Sequence, residues 1–181
     1  MLTWIFVAFG LHGVEPTAPT GYQLCQLAAA YPGLKDMRSD LAPGPTVRMI
    51  RCAGLAEMGY EEGLAVEGVI RVVAIAYNET CFRPEASGAR GELGMMQVLP
   101  KRCAEYAKTA DGCDPDRAGI RYLKNLRDRE RVRAARKGRA FAWRSVVRRY
   151  NGSGRVARHY ATKVQAYAFI ISRKLESRGS M

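Results

Sequence analysis

Histidine is almost missing from this chain: His12 and His159 are the only two among 181 residues. No Cys-x-x-Cys pair compensates for that, so the usual ligand sets for zinc or a redox metal are lacking, and neither a metal nor an organic cofactor is expected. Acidic residues are scarce as well, 17 against 29 Lys and Arg, which leaves a formal charge of +12. The excess favours polyanionic surroundings, whether cell-wall polymers, lipid headgroups or nucleic acid. Long apolar runs are also lacking. The longest, Met1 to Gly13, falls short of the roughly 20 residues that a helix needs to cross a bilayer. It has the length of a signal h-region, but no Lys or Arg precedes Lys35 and no clean small-x-small site follows. A secretory signal and a segment packed on the domain, on a partner or on a membrane surface therefore stand on equal terms. Aromatic residues are not interleaved with the basic run from Arg127 to Arg139, where seven bases face only Asp128 and Glu130. A stacking single-strand binder is thus poorly supported; the run reads as a solvated helix face, and no specific nucleic-acid binding is expected.

What the chain does have is a 48% hydrophobic content, enough for one core of ordinary size. The expected organisation is a mainly α chain: an apolar segment and linker over 1–21, a helical extension over 22–60, a principal domain over 61–175 and a loose tail over 176–181. Leu24, Leu27 and Ala28 give a first helix its apolar face, and Pro32-Gly33 ends it. After Pro43-Gly44-Pro45 a second helix places Val47, Ile50, Arg51, Gly54, Leu55 and Met58 on one side. A third covers Glu61 to Ala76, and Lys101 to Lys108 forms a short fourth. Asp114 caps the next, with Pro115 in its first turn. Trp143, Val146, Val147 and Tyr150 share a face of the helix that Asn151-Gly152 stops. In the last helix Val156, Tyr160, Val164, Tyr167, Ala168 and Ile171 share another. Five cysteines leave at least one unpaired, and Cys103 with Cys113, bracketing a polar turn, is the first pair to test. Cys81 has no histidine near it in sequence and reads as a packed side chain.

The stretch from Glu79 to Pro100 organises the rest. Ala65, Val69, Val72 and Ala76 recur at helical spacing, and Glu79 continues the stripe one turn on, so a carboxyl is aimed at the apolar side of its own helix. Desolvation and the negative end of the helix both favour its protonated form. Such a group can deliver a proton to a leaving oxygen. Next come Thr80, Phe82, Pro84 and Ala86, then Gly91-Glu92-Leu93-Gly94-Met95-Met96-Gln97-Val98-Leu99-Pro100. Further on stand Arg149-Tyr150-Asn151-Gly152 and the run Tyr160 to Tyr167. In this order the pieces resemble the soluble lytic transglycosylase (SLT) family of lysozyme-like muramidases, over Gly63 to Lys174.

The resemblance implies a lysozyme-like domain with a short loop or small hairpin over its cleft between Cys81 and Leu93. It implies peptidoglycan as substrate and cleavage of the β-1,4 bond between N-acetylmuramic acid and N-acetylglucosamine with a 1,6-anhydro end. Glu79 would be the single catalytic acid and base. Gln97, Met96, Gly94, Tyr150, Tyr160 and Asn151 would be its substrate-binding companions, although Asn151 suits a turn better than a sugar contact. The setting would be periplasm, cell envelope or virion, alone or within a phage tail or secretion machine. Two positions depart from the family's pattern: Gly88 stands where Ser is usual and Glu92 where Ala is. A second carboxylate in the cleft would make plain hydrolysis credible, as in a lysozyme. The preferred expectation for Glu92 is a solvated loop charge or a partner for Arg90. A non-enzymatic part of an assembly, contacting wall or DNA, is the remaining alternative.

Overall fold

The computed structural model describes residues 18–29 and 44–179. The apolar N-terminal run, the Pro32-Gly33 break and residues 180–181 lie outside them. Among the described residues seven helices and one small hairpin follow in order: α1 (Gly21–Ala29), α2 (Pro45–Glu61), α3 (Val66–Thr80), α4 (Pro100–Tyr106), β1 (Lys108–Thr109), β2 (Gly112–Cys113), α5 (Pro115–Arg136), α6 (Trp143–Asn151) and α7 (Gly154–Gly179). The class is mainly α, as the helical periodicities imply.

α3 is the central element. Val69, Ile70, Val72, Val73, Ala74, Ile75 and Ala76 are all buried, so apolar surface covers nearly its whole circumference. α2, α5 and α7 pack around it, and α1 joins the same core through Leu24 and Leu27. Two disulfides add to the packing. Cys103–Cys113 ties α4 to β2, and Cys25–Cys52, which spacing did not single out, ties α1 to α2.

Several boundaries differ from the sequence expectations. The third helix begins at Val66, because residues 62–65 turn the chain, with Gly63 at φ +75°. Glu62 in this turn is gripped by Arg117 at 2.6 Å and Arg121 at 2.8 Å, fastening the end of α2 to α5; these two bonds, Arg121's first, hold its carboxyl below the usual range. In α2 the buried face is Cys52, Leu55, Ala56 and Gly59, whereas Val47 and Ile50 are exposed. The stripe drawn through 47, 50 and 54 was rotated by part of a turn. Val156 is also outside the core, at 77% exposure, since the inner face of α7 starts at Ala157 and Tyr160. α4 ends at Tyr106, and Lys108 belongs to the hairpin. The tail expected from Glu176 continues as helix to Gly179. The only hairpin among the described residues lies at 108–113, while 81–92 is loop, followed by a single Leu93–Val98 bridge that closes the turn over 94–97.

The basic run of α5 is not wholly solvated either. Glu130 is 1% exposed and takes Arg139 at 2.6 Å, Arg149 at 3.4 Å and Arg133 at 3.8 Å; Arg127 is buried beside Asp128. At the start of α5, Asp114 accepts from the backbone of Asp116 and Arg117, as a cap should. Asp116 itself turns inward. At 9% exposure it accepts the Met95 N–H at 2.7 Å, and burial outweighs that bond to raise its pKa to about 6.

Asp116→Ala should cost about 2 kcal/mol, since it strands a buried N–H that bonds a carboxylate. Asp116→Asn should cost much less, because the amide oxygen still accepts. Urea unfolding of the three proteins checks this.

Candidate active site

Glu79 stands in the last turn of α3 where two hollows meet. One, of about 450 Å³, is lined by Asn78, Cys81, Arg83, Val156, His159, Tyr160 and Lys163. The other, of about 330 Å³, is lined by Gly88, Arg90, Glu92, Gln97, Arg102, Tyr122, Arg149 and Tyr150. Glu79 and Asn151 belong to both, so the two form a groove that passes the carboxyl on either side. Burial raises the pKa of Glu79; the Tyr160 hydroxyl opposes the shift and the charge of Glu92 adds to it. The buried Tyr160 hydroxyl meets no acceptor within hydrogen-bond geometry, yet its nearness to Glu79 is felt by both groups. Burial first, then the Glu79 charge, push this phenol well above its ordinary range.

The Gly94 to Val98 segment opposite is braced from three helices. Thr80 Oγ1 lies 3.0 Å from the Met95 carbonyl, from α3. Asp116 takes the Met95 N–H, from α5. Tyr150 donates its hydroxyl to the Met96 carbonyl at 2.9 Å, from α6. Gln97 gives both amide hydrogens to main chain, to Ala86 and Gly94 carbonyls at 3.0 Å each, so only its oxygen remains for the groove. Gln97 adopts φ +51°, as do Cys81 at +52° and Phe82 at +63° beside Glu79. Left-handed backbone at non-glycine residues costs about 1 kcal/mol or more each, and such strain gathers at functional sites.

Two expected substrate contacts therefore belong to the framework instead. Met96 is 0% exposed and packs against Gly119 on α5. Gly94, at φ +72°, is buried where a Cβ would sit 2.8 Å from Asp116 Oδ1. Neither lines the groove. Tyr150, Tyr160, Asn151 and Gln97 do, with the Tyr150 proton and both Gln97 donors already engaged. Cys81 is half-buried on the groove rather than packed away, and His159, distant in sequence, lines the same hollow.

Glu92 is not solvated. It is 9% exposed, with Oε1 2.7 Å from Arg90 Nη2 and Oε2 accepting the Arg90 N–H at 2.9 Å. Burial alone would raise this carboxyl, but the bonds from Arg90 and the backbone outweigh it and hold it low. Gly88 makes room for it: a Cβ there would collide with Glu92 Oε2 and lie 2.8 Å from Gln97 Oε1. Gly88 and Glu92 are thus one coupled arrangement, in which the acid at 92 fills the space a side chain at 88 would take.

No protein-family model, curated protein or solved structure matches this chain.

The groove carries residues that local sequence gave no reason to select. Tyr122 reaches it from α5, with the tilted rings of Tyr106 and Tyr150 on either side at 5.5 and 5.4 Å and Arg102 over its own ring at 4.8 Å. Arg149 and His159 each adjoin a chosen tyrosine in sequence, which was the available signal. Arg102 and Lys163 had none. Among the described residues no group of three or more His, Cys, Asp or Glu is arranged to hold a metal ion.

Chemically, the groove offers one carboxyl whose pKa is raised and one whose pKa is lowered, in a shared hollow. Replacing Glu92 by Gln removes a negative charge facing Glu79, so the Glu79 pKa should fall; a carboxyl-carbon NMR titration of both proteins reads this directly. The raised pKa also affects stability. Folded Glu79 holds its proton over a range in which the unfolded chain has released it, so stability falls as pH rises through that window. Glu79→Gln should accordingly stabilise the fold at neutral pH and leave it unchanged below about pH 4, where both states are protonated.

Proposed function

We propose that this chain is a lysozyme-like lytic transglycosylase of the SLT type, acting on the β-1,4 bond between N-acetylmuramic acid and N-acetylglucosamine in peptidoglycan. The observation that carries the reading is the position of Glu79: a desolvated carboxyl with a raised pKa at the shared wall of two hollows, as a strand passing on both sides requires. The order of motifs around it supports the same reading.

In this mechanism Glu79 protonates the glycosidic oxygen, and the bond to the muramic C1 breaks as positive charge grows on the ring. The departing N-acetylglucosamine leaves with that proton as its 4-hydroxyl. Glu79, now a carboxylate, takes the proton of the muramic 6-hydroxyl, whose oxygen bonds to C1 and closes the 1,6-anhydro ring. Acid and base are the same group, so no second carboxylate is required. Tyr160 is suited to the half-cycle in which Glu79 is ionised, since its hydroxyl favours the anion. The substrate's acetamido group assists at C1, and the free oxygen of Gln97 accepts a hydrogen bond from the strand.

Hydrolysis is the second reading, because Glu92 lines the same hollow. Arg90 engages both its oxygens, however, which leaves it poorly placed to activate a water or attack C1. Two disulfides suit an oxidising compartment such as the periplasm, the envelope exterior or a virion.

Purified protein incubated with sacculi should release muropeptides ending in 1,6-anhydro muramic acid, short of one water relative to hydrolytic products by mass spectrometry. Glu79→Gln should lower the rate about a thousandfold. Reducing-end products would favour the hydrolytic reading, and intact sacculi would leave only a binding role.

A further inference from the structure

The net charge is concentrated in one part of the chain. From Arg127 to Lys163 there are 13 Lys and Arg against Asp128 and Glu130, a surplus of 11 out of the total of +12; the other 16 bases and 15 acids almost cancel. Both acids of the stretch are already engaged, Asp128 by Arg127 and Glu130 by Arg133, Arg139 and Arg149. Exposed bases remain along α5, α6 and the start of α7, among them Arg129, Arg136, Arg144, Arg148, Arg155 and Arg158. A helix face built only for solubility would intersperse both signs.

This face is continuous with the groove. Arg149 lines the hollow with Glu92, and the buried Glu130 binds it together with Arg139 from the α5–α6 connection. Lys163 and His159 line the other hollow, on the same turns of α7 as Arg155 and Arg158. The groove is therefore carboxyl-centred and cation-rimmed. A phosphodiester chain would carry an anion past the ionised Glu92 at every unit, which its charge opposes. A strand with an uncharged backbone and acidic side branches meets both requirements at once.

We propose that the α5–α7 cationic face docks the acidic peptide stems of wall strands, so that stem-bearing peptidoglycan rather than bare glycan is what the groove receives. The inference rests on the wall-cleaving reading of the groove. Its test uses the full-length Glu79→Gln protein sedimented with sacculi free of phosphate polymers, either untreated or with their carboxylates capped as neutral amides by carbodiimide and ethanolamine. Capping should cut retention on the order of tenfold at low salt, and Arg155→Glu with Arg158→Glu should do the same on untreated sacculi. Equal reversal at Lys108 and Arg173, outside the face, should change retention by less than about twofold. Equal retention on capped and untreated sacculi would overturn the proposal, as would displacement by duplex DNA at a charge concentration below that of the sacculi. Wild-type cleavage is scored separately. Carboxylate-dependent retention without cleavage would uphold docking and reject the enzyme; cleavage with carboxylate-independent retention would do the reverse.

Discussion

Both polar groups of the Met95 backbone are held by buried side chains, the N–H by Asp116 and the carbonyl by Thr80. Met95 thereby joins α3 to α5 beside Glu79. With Tyr150 holding the next carbonyl, it fixes the Gly94–Val98 segment behind the groove and sets where Gln97 and Val98 meet it. A buried backbone group without a partner costs more than an ordinary hydrogen bond contributes, so these side chains confine the segment to one arrangement. The residue beside the proposed acid is therefore as much part of the site as the acid. Thr80 touches no substrate in the proposed mechanism, yet its hydroxyl keeps the opposing wall in register.

The electrostatics follow from that placement. Glu79 lies in the last turn of a helix whose body is buried among apolar residues, where burial raises its pKa and the phenol of Tyr160 favours its anion. Glu92 lies in the same hollow but has a guanidinium and main-chain donors to keep it ionised. Two chemically similar groups are thereby pushed in opposite directions by their partners. The difference comes from the immediate neighbours rather than from depth alone.

Much of the architecture was legible in advance. α3, α5 and α7 show apolar periodicity, Asp114-Pro115 announces a helix start, and the Cys103–Cys113 pair was the first to suggest itself. Glu79 was placed by its stripe. The misreadings have a common physical origin. In α2 and at Val156 several apolar residues fit more than one helical stripe, and only the packing partner selects between them. Met96 and Gly94 lie inside a motif that resembles a substrate site, but they serve the brace behind it. Asp116 stands next to a helix start with no signal of its own in the sequence, although its carboxyl turns inward toward Met95. Tyr122, Arg102 and Lys163 reach the groove from separate elements, and no window of sequence contains that convergence.

The close fit between Gly88 and Glu92 has a bearing on how such a groove can change over time. Because the carboxylate at 92 occupies the volume next to Cα of residue 88, the two sites cannot drift independently. A lineage replacing this pair by a larger residue at 88 and a smaller one at 92 would have to shorten residue 92 before enlarging residue 88. The opposite order passes through an overfilled loop beside Glu79, so the steric contact sets the order of the two steps.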